Sequence, residues 1–171
     1  MVMIIICKVY KLCYIIIMSL KYHDLPFGAQ LLLWTSRVFF HGSCRTKPSK
    51  YDLVDLAYSK VGINNGSELL KKYLYLLRIE SKFQLQPICV QDLTEAEIKL
   101  IDCIEVHKKN NFNNNYYITL WKLDNYAELF TESARNLAIA FKKANLDTDL
   151  NYFRETINKK VVSNYFYKTL H

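Results

Sequence analysis

The sequence predicts an all-α fold, a single bundle-like domain of about six or seven helices, on three observations. Half of the 171 residues are hydrophobic (51%), while Gly and Pro number only 4 and 3. The chain therefore lacks both the polarity of a disordered segment and the punctuation that a fold of many short strands needs. Apolar residues recur at helical spacing in one segment after another. The segments are bounded by helix start and stop residues, most clearly at Thr94-Glu95-Ala96-Glu97. No fixed-period repeat is present, which argues against a regular solenoid. A single domain of this length buries roughly two-thirds of the surface its unfolded chain exposes.

Residues 1–17 form an apolar leader ahead of a helical domain at 18–171. The isoleucines at 4–6 and 15–17, with Val2, Val9, Leu12 and Leu20, favour insertion as a spanning helix. Together they contribute roughly −3 to −6 kcal/mol, against roughly +5 to +7 kcal/mol for Lys8 and Lys11. The charges lie inside the apolar stretch and no small-residue cleavage site follows, so a secretory signal is disfavoured. Met18-Ser19-Leu20-Lys21 reads as the start of a soluble protein. Three readings are open: a start-site artefact, a membrane anchor, or a buried helix.

Leu25-Pro26-Phe27-Gly28 reads as a turn that opens a helix. From Ala29 to Phe40 apolar residues cover most of the helical wheel, which places this helix in the middle of the bundle; His41-Gly42-Ser43 stops it. Ser49 and Asp52 start a second helix that Gly62 ends, with Leu53, Val54, Ala57 and Val61 in register. Asn65 and Glu68 start a third, striped by Leu69, Leu70, Tyr73, Leu74, Leu76 and Leu77. The short connection from Gly62 to Gly66 makes the pair antiparallel.

Phe83 to Val90, with Pro87, reads as a loop or short extended segment. Thr94 and Glu97 then form a capping box, with Leu93 and Ile98 as its hydrophobic staple, and the helix runs to about Lys109. The Asn-rich stretch at 110–115 reads as a solvated loop. Tyr116 to Leu123 suits a strand as well as a short helix, and context favours helix. Asn125 and Glu128 cap a long helix with Tyr126, Phe130, Leu137, Phe141 and Ala144 on one face. Asp147-Thr148-Asp149 starts a last one, aligned on Leu150, Phe153, Ile157 and Val161.

The formal net charge of +7 makes an acidic partner, nucleic acid or an anionic membrane surface, a reading to weigh. Asn, Ile, Lys and Tyr are all abundant, a bias that an AT-rich coding sequence produces by itself. The densest basic stretch holds Arg45, Lys47 and Lys50; Arg37, Lys71, Lys72, Arg78 and Lys82 extend the set. Phosphate binding needs clustered cations, and stacking needs exposed aromatics. No run of five or six basic residues occurs, and most tyrosines recur in register with Leu and Ile, as core residues do. A membrane partner requires residues 1–17.

The five cysteines are scattered, unlike a secreted disulfide framework, which points to a reducing compartment. Cys103 and His107 share one side of a helix, and His41 and Cys44 flank a helix end. Two thiolates and two imidazoles make a tetrahedral zinc site if the fold brings the pairs together, with Cys89 as a substitute ligand. The simpler account places Cys103 and His107 on the apolar stripe of Leu100 and Ile104, with the cysteine acting as a small hydrophobe. The same pair spaced i,i+4 also poses the question of a thiol nucleophile and its base, but no third orienting residue is identifiable. Gly-rich phosphate loops, nucleophile elbows and metalloprotease motifs are all missing from the sequence. Asp52/Asp55 and Glu95/Glu97 are helix-start charges favoured by the dipole.

The run Leu25-Pro26-Phe27-Gly28 leading into Leu31-Leu32-Leu33-Trp34, then Cys89 and Leu93-Thr94-Glu95-Ala96-Glu97, resembles small uncharacterised helical proteins of alphaproteobacteria. The similarity spans roughly residues 22–146; it implies a bacterial, cytoplasmic setting and no mechanism. The expectation is thus a non-enzymatic helical protein-interaction domain. The alternatives are a Cys/His metal-binding domain and a basic nucleic-acid-binding protein. The expected location is the cytoplasm, or the inner membrane if residues 1–17 are an anchor.

Overall fold

A computed structural model of the chain describes residues 20–42, 50–80, 83–109 and 114–151. The leader at 1–17, Cys44, Arg45, Lys47, Lys82 and the last expected helix beyond Asn151 lie outside the described residues. Among the described residues there are six α-helices: α1 (Phe27–His41), α2 (Lys50–Lys60), α3 (Gly66–Glu80), α4 (Glu95–Lys108), α5 (Asn114–Trp121) and α6 (Ala127–Lys143). Short 3-10 turns occupy Tyr22–Asp24 and Asp124–Tyr126. Among the described residues extended pairing is confined to an isolated bridge between Lys21 and Asp92. The all-α expectation holds, and one hydrophobic cluster draws on all six helices.

Helix α1 is buried over most of its surface, as its all-round apolarity requires, although α6 and not α1 packs most extensively on the other helices. Ala29, Leu32, Leu33 and Val38 are fully buried, and α2, α3 and α4 all pack on it. Its buried hydroxyls need no outside partner. Thr35 Oγ1 donates to the Leu31 carbonyl at 2.7 Å, and Ser36 Oγ to that of Leu32 at 2.7 Å. Pro26 precedes the first turn in extended conformation, where its missing N–H costs nothing. What closes that end is remote in sequence: Ala29 N donates to the Asp147 carbonyl at 3.1 Å. Gly28 lies so close beneath Asp147 that a Cβ there would overlap the carbonyl oxygen.

Three helices end in the same hydrogen-bond pattern, with a left-handed residue after the last turn. After α2, Gly62 (φ 81°) donates to Ser59 O and Ile63 to Tyr58 O. After α5, Lys122 (φ 56°) and Leu123 donate to Thr119 and Ile118; after α6, Asn145 (φ 53°) and Leu146 donate to Lys142 and Phe141. Helix α4 starts as its capping box predicts, with Glu97 N donating to Thr94 Oγ1 at 3.2 Å and Thr94 N to Glu97 Oε2 at 3.0 Å.

Two boundaries differ from expectation. Asn114 and Asn115 belong to helix α5 and not to a loop spanning 110–115. Tertiary packing outweighs the low helix propensity of Asn there, because Tyr117 and Trp121 (each 5% exposed) dock against each other at 5.4 Å, and Trp121 meets Phe130 at 5.5 Å. Nor does Asn125 cap α6. It lies inside the turn Asp124–Tyr126, and α6 begins after Tyr126 with no side-chain cap. The abrupt stop of α5 at Lys122 leaves no room for a separate capping residue: Tyr126 N already bonds the Leu123 carbonyl at 2.8 Å. Leu146 to Leu150 is non-helical and crosses the first turn of α1, with Leu146 and Leu150 buried.

Candidate functional site

Helices α3 and α6 run antiparallel. Tyr73 stacks on Phe130 at 5.6 Å near one end, and Leu69 shares a cleft with Ile139 and Lys143 at the other. Their inner faces are core: Leu70, Leu74, Leu77, Leu137 and Phe141 are fully buried. Their outer faces are not purely polar. Tyr75 on α3 is 56% exposed, and Leu129 and Ile139 on α6 are 55% and 43% exposed. Between the helices lies a cleft of about 430 Å³ lined by Tyr75, Leu76 and Leu129 with Lys72 and Glu132. A second cleft of about 700 Å³, around Leu69, Ile139 and the Gly62-to-Asn65 turn, shares Asn136 with it.

The two walls differ in charge. The α3 wall presents Lys71 and Lys72, with Glu68 one turn earlier, bound to Lys72 at 2.8 Å. The α6 wall presents Glu132, preceded by exposed Glu128, and changes sign at Lys143 near the start of α3. Sequence reasoning did not single out Tyr75, Leu129 or Ile139. The signal was there: each is a large apolar residue that falls off the buried stripe of an amphipathic helix.

Of the residues proposed as metal ligands, Cys103 and His107 share one helix, His41 lies on another, and Cys44 falls outside the described residues. Cys103 and His107 both lie buried on α4, as the shared stripe requires. Burial pushes the Cys103 thiol up to about 12, a poor nucleophile and ligand, with Tyr73 as its hydrogen-bonding neighbour. Burial and the nearby Arg135 push His107 down to about 4. His41 is exposed at the far end of α1, with Nε2 donating to the Leu85 carbonyl at 2.7 Å. Lys108, next to His107, is instead tied to the Leu146–Thr148 segment that crosses the start of α1. His41 and His107 are thus separated along α1 by roughly 20 Å at 1.5 Å per residue. Cys89 is exposed in the loop before α4, and Cys44 is outside the described residues. Among the described residues no three His, Cys, Asp or Glu side chains converge on a possible ion.

Of the basic set, Lys71, Lys72 and Arg78 are exposed on α3, and Lys50 begins α2. Arg37 is a correction: it is an interior residue, 1% exposed, and cannot meet a phosphate. Its Nε and NH2 donate to the two carboxylate oxygens of fully buried Glu97 at 2.8 and 2.9 Å. Its NH1 donates to Val90 O at 2.5 Å, and NH2 also to Asp92 O at 3.3 Å. Glu97 Oε1 accepts Gln86 N as well, at 2.9 Å. The pair therefore organises the segment before α4 and leaves no group for chemistry.

Comparison of the chain with protein-family models, with curated proteins and with solved structures found no match.

Proposed function

We propose that the chain is a non-enzymatic, helical protein-binding module of the bacterial cytoplasm, and that it binds through the outer face of α3 and α6. The observation that supports this is the placement of Tyr75 and Leu129 on one cleft and Ile139 on its neighbour, each side chain about half exposed, with Asn136 lining both clefts. Single apolar side chains on a surface are ordinary, whereas several lining neighbouring clefts between polar rims resemble an interface core. The polar interior points the same way, since Arg37, Glu97, Thr35 and Ser36 are all committed to structural hydrogen bonds. A nucleic acid is less well served, because Arg37 is internal, held by Glu97, and adds nothing to a basic surface.

The test is photo-crosslinking in the producing cells, with a photoreactive residue in place of Leu129 and, as control, in place of Lys60 on α2. A protein adduct at 129 and none at 60 is expected. Absence of any protein adduct at 129 removes the reading.

A further inference from the structure

We infer that the occupant of the α3–α6 face is a second copy of this chain, a step that rests on the protein-binding reading above. The argument is one of symmetry. The face consists of two antiparallel helices with a wall on α3 that is cationic on balance (Lys71 and Lys72, the latter also bound to Glu68) and an anionic wall on α6 (Glu128, Glu132). A half-turn about an axis running along the cleft lays α3 of one copy on α6 of the other. Each wall then meets its opposite, and Lys72 faces the partner's Glu132 twice in the assembly. A partner of uniform charge meets one like-charged wall, whereas a two-fold copy meets none.

The apolar groups fit the same operation. Tyr75, Leu129 and Ile139 lie along the seam, where they become the centre of a four-helix layer with Leu69 and Leu76 beneath. The helices are long enough for it: the 15 residues of α3 and the 17 of α6 extend roughly 22 and 25 Å at 1.5 Å per residue. Isologous packing uses the surface of both helices in both copies and leaves neither exposed seam open.

Sedimentation velocity of the full chain at low salt, up to about 100 μM, reads this out. The expected species has twice the 20.2 kDa chain mass. Leu129→Asp is expected to give a monomer of unchanged helical circular dichroism. Lys72→Glu and Glu132→Lys are each expected to weaken the dimer about tenfold or more. Mixing these two variants pairs unlike charges at both symmetry-related positions and restores dimer, which a merely structural role for either residue does not predict. A wild-type chain that stays monomeric overturns the inference, as does a dimer indifferent to Leu129→Asp or a mixture no tighter than its components. The crosslink at position 129 separates the two readings. An adduct heavier or lighter than one chain mass overturns self-association and leaves protein binding standing; no protein adduct removes both.

Discussion

Arg37 and Glu97, separated by 60 residues, meet as a two-pronged ion pair that is 1% and 0% exposed. The charges are tolerable because every strong bond is made. The guanidinium also donates to the Val90 and Asp92 carbonyls, and the carboxylate accepts the Gln86 and Thr94 N–H groups. Removing one partner strands the other. Arg37→Met is expected to cost about 3–5 kcal/mol of folding stability, read from urea unfolding. A loss under about 1 kcal/mol would mean that Glu97 is held by the backbone donors alone.

Gly28 answers a different constraint. A methyl group there collides with the Asp147 carbonyl that closes α1, and backbone on both sides cannot swing away. Gly28→Ala is expected to destabilise by about 1–3 kcal/mol and to speed hydrogen exchange at Ala29. Normal exchange at Ala29 in that variant would show that the crossing segment is not what protects the helix end.

Lys122 ends α5 at φ 56°, in the left-handed region where a β-carbon brings steric cost. Lys122→Gly is expected to stabilise the chain, the relief of about 1 kcal/mol slightly exceeding the entropy cost of a glycine in the unfolded state. Thermal unfolding decides the sign; a lower midpoint would refute the assignment of strain to this residue.

His107 predicts an acid-side loss of stability. Its folded value is near 4, below the ordinary 6.5, so between those limits the unfolded chain binds a proton that the folded chain refuses. Stability is complete above pH 6.5 and falls toward pH 4, by up to about 3 kcal/mol. Glu105, held low by Thr148 and Lys108 despite partial burial, adds a loss of the same sign at the bottom of the window as its carboxylate protonates. The two separate by mutation: His107→Gln should flatten the slope of stability between pH 4 and 6.5. An unchanged slope would assign the effect to the carboxylates.

Local chemistry made much of this fold readable. The Thr94/Glu97 capping box, Pro26, Gly62 and the stripes through Leu70 and Phe130 act within a few residues, so sequence spacing places them correctly. The same locality explains the misses. Asn125 looks like a cap in isolation, but Lys122 and Leu123 had already ended the preceding helix and set the turn. The candidate face was half legible, since Tyr75, Leu129 and Ile139 stand off their helical stripes, yet nothing in spacing says that α3 lies beside α6.

By itself the sequence determined an all-α chain, most helix limits and which side chains lie within the core, because hydrophobic period and capping operate over a turn or two. Tertiary structure alone decided that Arg37 is an interior ion and not a surface cation, that Asp147 caps α1, and that His41 and His107 lie apart. The physical reason is the same in each case. A charge, a carbonyl or an imidazole takes its role from the partner it meets, and those partners lie tens of residues away along the chain.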